Sequence, residues 1–221
     1  MNVAKHHGSG SETPSEAVQE HVGVYAAAGA CTASVPYGIA QLLQVADLLS
    51  TPLDRWLIFA PSLALAPLFV VAIAASAAGA PPAARAARLA AFGLAISYAV
   101  LVSSAYVIQL GVILPREMQG TLGRLAGFAC CGFRMPLTAI DLLGYTEMSL
   151  AMLLLGFTYR RGVLRWLLIA NGLLAPVILL QLAWPALIFW AWPWLIFFPL
   201  AMAALAHDLG RVPLETFEGK T

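Results

Sequence analysis

Six stretches of twenty-odd apolar residues, each flanked by charge or proline, leave this chain few ways to fold. About 20 apolar residues in a helix span the hydrocarbon layer of a bilayer. A helix also satisfies its own backbone there, so a bundle of such segments is the economical outcome. Composition points the same way: 61% of the residues are hydrophobic, 10% are charged and the mean hydropathy is +0.82. Soluble domains hold roughly 25% charged residues, which keep their surfaces wet. The expected fold is therefore all-α, a polytopic transmembrane helix bundle of about six spans.

The spans read as Val24 to Asp47, Trp56 to Ala78, Leu89 to Leu114 (stopped by Pro115), Pro136 to Phe157, Val163 to Ala183, and Ala186 to Ala206 (broken by Pro193 and Pro199). Between the third and fourth, Thr121 to Phe133 is glycine-rich and semi-apolar, with room for a seventh, interfacial helix. Residues 1–22 read as a polar, disordered tail, 23–208 as the bundle and 209–221 as a second tail. A mainly polar segment through Glu20 precedes the first apolar stretch, so no cleaved signal peptide is expected. His6 and His7 lie in that tail without nearby partner ligands. Cys130 and Cys131 are adjacent and Cys31 stands alone, which is neither a zinc nor a C-x-x-C redox spacing.

Lysine and arginine set the orientation. Lys5, Arg85, Arg88, Arg160, Arg161, Arg165, Arg211 and Lys220 collect on one side, against Arg55, Arg116, Arg124 and Arg134 on the other. This places the protein in the cell membrane as a multi-pass chain with both termini cytoplasmic. The formal charge of +1 gives no reason to expect a nucleic-acid partner.

Asp141 and Glu147 stand inside the fourth span. A carboxylate at that depth costs roughly 2.5–3.5 kcal/mol, so it normally faces protein or trapped water and marks a functional site. Tyr37, Gln41, Gln44 and Asp47 share one helical face by their spacing of four, three and three. With Tyr106, Gln109, Tyr145 and Gln181 they fall in the outer half of the expected bundle, near Asp141. Glu147, six residues after Asp141, lies roughly 120° around the helix. These groups either hold the bundle together by hydrogen bonds or line an outward cavity in which carboxylates act.

In the second case Asp141 is the general acid, with Glu147 or Asp47 assisting. A neutral carboxylic acid in a dry, aromatic-lined pocket can protonate an alkene or epoxide. The ring faces of Trp184, Trp190, Trp192 and Trp194, with Tyr106 and Tyr145, would stabilise the cation, Trp184 and Trp190 being counted with the substrate-binding set. For the tryptophans an interfacial belt is the competing role. No phosphate-binding loop, H-E-x-x-H, G-x-S-x-G or D-D-x-x-D motif is present, so neither metal nor cofactor is expected.

Tyr98 to Pro115 (YAVLVSSAYVIQLGVILP) and Ile140 to Leu155 (IDLLGYTEMSLAMLLL) resemble a widespread group of uncharacterised bacterial polytopic membrane proteins. There a tyrosine-x-x-glutamine-leucine segment ends the third helix and an acidic residue before leucine-glycine-tyrosine opens the fourth. The resemblance runs from about residue 30 to 180 and implies a fold. In size and architecture the chain is also similar to the small integral-membrane terpene cyclases, compact helical bundles that protonate an alkene or epoxide with a buried carboxylate. That similarity implies a metal-independent enzyme acting on a hydrophobic, isoprenoid-like small molecule drawn from the bilayer. Two alternatives stand beside it. One is a small proton-coupled transporter, exporter or immunity protein in which Asp141 and Glu147 carry protons, with a homodimer completing the path. The other is a non-catalytic membrane subunit. The halves of the chain show no repeat of the kind many transporters have.

Overall fold

The computed structural model describes residues 14–129 and 135–211, and these are helical with no strand among them. Helix α1 (Pro14–Val45) takes in residues assigned above to the tail. α2 (Leu53–Ala78) and α3 (Arg85–Ile108) follow, then a π-helical turn over Gln109–Ile113 and α4 (Leu114–Met118). A 3-10 segment, Gly123–Phe128, leads towards α5 (Pro136–Thr158). The remainder is α6 (Val163–Gly172), α7 (Ala175–Leu180), α8 (Ile188–Ala191) and α9 (Trp194–Leu209). Five helical segments are long and apolar enough to cross a membrane, or six if the bent pair ending in α9 counts as one. His6, His7, Cys130, Cys131 and Arg134 lie outside the described residues.

Two proline readings need correction. Pro115 does not stop the third segment, which runs on to Met118. Proline lacks an N–H and its ring crowds the carbonyl four residues back, here Gly111. The wider π turn immediately before Pro115 accommodates this, and the helix continues. Pro199 likewise lies within α9 instead of breaking it. The break falls at Pro193 alone, where the chain bends by 43°.

Close packing comes from small residues. α1 packs on α2 and α9, and α3 packs on α2 and α5. Ala27, Ala30, Ala66 and Ala72 are fully buried, letting these backbones approach. Gly144 sits against Val102, where an added Cβ would come 2.6 Å from the valine Cγ2. Gly172 sits against the backbone of Leu153. Phe69, Tyr98 and Phe198 fill the centre, with Phe69 meeting Tyr98 edge-on at 5.6 Å and Phe198 at 5.9 Å.

One end of the bundle is tied by Arg88. Its Nε donates to Thr158 Oγ1 (3.0 Å) and its guanidinium to the Ser76 carbonyl (2.8 Å), while its charge lies 4.8 Å from the Tyr159 ring centre. One side chain thus joins α2, α3 and the end of α5. The other end opens into a cavity.

Candidate active-site cavity

The cavity encloses about 770 Å³, within the usual range for small-molecule sites of roughly 300–1,000 Å³. α1 contributes Tyr37, Gln41 and Gln44, whose spacing turns one face inward, and Asp47 lies at the cavity's edge just beyond the helix. α3 and its π turn supply Tyr106 and Gln109. α5 supplies Thr138, Asp141 and Tyr145, one turn apart in succession. Gln181 follows α7, and Ile58 and Phe59 enter from α2.

Aromatic rings make the inner wall. Tyr37 stacks on Tyr145 at 6.1 Å, and Trp194 meets both edge-on, at 5.7 and 5.2 Å. Phe59 stacks on Tyr106 at 5.0 Å. The Tyr106 hydroxyl donates to the Tyr145 hydroxyl at 3.2 Å, and both residues line the cavity with Asp141. Asp141 Oδ1 remains buried without a partner. Trp194 Nε1 and Thr138 Oγ1 are in the same condition. Among the described residues lining the cavity there is no lysine, arginine or histidine.

The rim is a polar lattice. Gln44 Nε2 donates to Asp54 Oδ2 at 2.9 Å, and Arg55 Nε reaches the same oxygen at 3.2 Å. Arg55 Nη2 lies 3.7 Å from Glu117 Oε1. Gln109 Nε2 donates to the Phe128 carbonyl at 2.7 Å, pinning the 3-10 segment to the π turn. Two of the glutamines therefore hold the rim together while facing the cavity.

Asp47 takes a left-handed backbone conformation, φ 56°. Its N–H donates to the Gln44 carbonyl at 3.0 Å and that of Leu48 to the Leu43 carbonyl at 2.9 Å. This pair of bonds is the Schellman closure of α1, with aspartate in the place usually given to glycine. Asp47 is exposed, at the mouth and not beside Asp141 in the aromatic wall.

Three residues expected in the site are elsewhere. Glu147 is not among the lining residues; its angular offset on α5 turns it from the face that carries Asp141, and its Oε2 is buried without a partner. Trp184 and Trp190 are exposed, at 61% and 71%, and Trp192 and Trp194 line the cavity in their stead. A 43° bend separates Pro185–Ala191 from α9, which Trp194 opens. Asp54, 5% exposed, was missed. In the sequence it is one half of an Asp-Arg pair opening a span, with nothing to separate it from an ordinary solvated loop charge. Among the described residues no three His, Cys, Asp or Glu side chains converge as a metal site requires.

No protein-family profile matches this chain, and no curated protein or solved structure shows a significant match to it.

Proposed function

We propose that the chain is a multi-pass membrane protein, its cavity in the outer half of the bilayer and both termini cytoplasmic, that protonates an isoprenoid-like substrate without a metal. The observation that supports this best is the position of Asp141, a lone carboxyl group at an aromatic wall of Tyr37, Tyr106, Tyr145 and Trp194. Asp141 in its acid form gives its proton to one carbon of an alkene. The π electrons form the new C–H bond and leave a carbocation on the other carbon. A second alkene of the same chain attacks that cation and closes a ring. A neighbouring carbon of the new cation gives its proton to water at the cavity mouth, which restores an alkene, while the Asp141 carboxylate takes a proton back from that water.

The ring faces of Tyr37, Tyr145 and Trp194 carry negative potential and stabilise the passing cation. Tyr106 holds Tyr145, one helical turn after Asp141, through its hydroxyl. Asp47 serves at the mouth, where a proton can be exchanged with water. Five helical segments long and apolar enough to cross a membrane, or six with the bent pair, support an apolar route for the substrate from the bilayer.

The test is a metabolite comparison in a host supplied with linear prenylated substrates. Wild type is set against Asp141→Asn and Glu147→Gln, all inserted at equal levels. The expected result is a cyclised product that disappears with Asp141→Asn and persists with Glu147→Gln. A well-inserted wild type that makes no product from any substrate overturns the enzymatic reading and leaves proton-coupled transport, to be followed by substrate efflux.

A further inference from the structure

The aromatic wall contains polar atoms that an apolar chain cannot satisfy. Trp194 is 5% exposed and lines the cavity, and its Nε1 is buried with no hydrogen-bond partner. An indole N–H can only donate. Asp141 Oδ1 is also buried and unpartnered. Both flank Tyr145: the Trp194 ring stands 5.2 Å from it, and Asp141 precedes it by one helical turn.

We propose that the ligand of this cavity is an uncharged amphiphile with a hydroxyl head, seated between Trp194 Nε1 and Asp141 Oδ1. This rests on the reading of the cavity as a substrate site and names the substrate's polar end. A hydroxyl oxygen accepts from the indole N–H, and its proton is donated to the carboxyl oxygen. Other head groups meet only part of this pattern. A hydrocarbon satisfies neither atom. An ammonium group has no lone pair for the indole. A diphosphate would bring its charge beside Asp141 and Asp47, with no cation among the described lining residues to offset it. Ile58, Phe59, Ile178 and Leu195 provide the apolar surface for the tail.

Equilibrium binding to the purified full-length protein in detergent tests this with radiolabelled farnesol. Its competitors are farnesene (no head), farnesyl methyl ether (an acceptor that cannot donate) and farnesyl diphosphate. Farnesol is expected to bind at least tenfold more tightly than farnesene, with the ether between them and the diphosphate failing to compete. Trp194→Phe keeps a ring and removes the N–H. It should weaken farnesol about tenfold and farnesene by a clearly smaller factor. Equal affinity for farnesol and farnesene, or stronger binding of the diphosphate, overturns the proposal, and both readouts use the wild type and so survive a Trp194 variant that does not fold. A folded Trp194→Phe with unaltered farnesol affinity overturns it as well. Tight farnesol binding without any cyclised product would sink the enzymatic reading while sustaining this one.

Discussion

Tyr106 and Tyr145, on separate helices, meet hydroxyl to hydroxyl at 3.2 Å, and Tyr145 follows Asp141 by one helical turn. Tyr106 thus ties α3 to the aromatic wall beside the acid. Tyr106→Phe leaves the ring stacked on Phe59 and removes that bond. One hydrogen bond contributes about 1 kcal/mol, and a loss of 1.4 kcal/mol is a tenfold change in rate. Asp141-dependent product formation should fall about tenfold, measured as initial rate in membranes, with expression unchanged. An unaltered rate would remove Tyr106 from the mechanism.

Asp54 is buried and receives Gln44 Nε2, Arg55 Nε and the Arg55 backbone N–H. Removing a carboxylate that neutralises a nearly buried arginine is costly, on the order of 3 kcal/mol. Asp54→Ala should therefore lower the melting temperature in detergent by several degrees or more. Asp54→Asn, which keeps the acceptor for Gln44, should fall between it and wild type. If Asp54→Ala melts with wild type, the rim lattice adds nothing to stability.

Gly172 faces the backbone of Leu153, and a Cβ there would stand 2.7 Å from the leucine Cα. Backbone cannot swing aside as a side-chain tip can. Gly172→Ala should destabilise the bundle by roughly 1–3 kcal/mol, the usual penalty for overpacking. Gly93, which has nothing within 4 Å of its added Cβ, is the control. Gly93→Ala should be neutral or slightly stabilising, since it replaces glycine within a helix. Thermal unfolding of the pair in one detergent decides it.

Asp47 occupies a left-handed conformation that glycine adopts without penalty. Asp47→Gly should leave α1 closed in the same way and raise stability by up to about 1 kcal/mol. If its carboxylate also exchanges protons at the cavity mouth, turnover drops in the same variant. A gain in melting temperature with full activity would assign Asp47 to helix termination alone.

Much of this architecture is legible in the residues. Apolar runs bounded by charge or proline give α2 and α5 to within a few residues, because both pattern and boundary are local. The inward face of α1 is equally plain, since Tyr37, Gln41 and Gln44 keep helical spacing. What escapes is whatever depends on how one element meets another. Proline forbids one hydrogen bond, but whether the helix ends or widens into a π turn depends on its packing, and so Pro115 misleads. Choosing among Trp184, Trp190, Trp192 and Trp194 requires the 43° bend at Pro193, which no spacing rule supplies. Asp54 becomes distinctive only when Gln44 arrives from another helix to meet it.

The π turn has an effect beyond sparing a hydrogen bond. By housing one extra residue it shifts the phase of everything after it by roughly 100° relative to an uninterrupted α-helix. Glu117, 3.7 Å from Arg55, lies after the turn and so belongs to the shifted phase. Tyr106, upstream, belongs to the original one. The two ends of a single continuous rod thus address two different neighbours, and trimming one residue between Gln109 and Ile113 would rephase the rod and make it give up one of them.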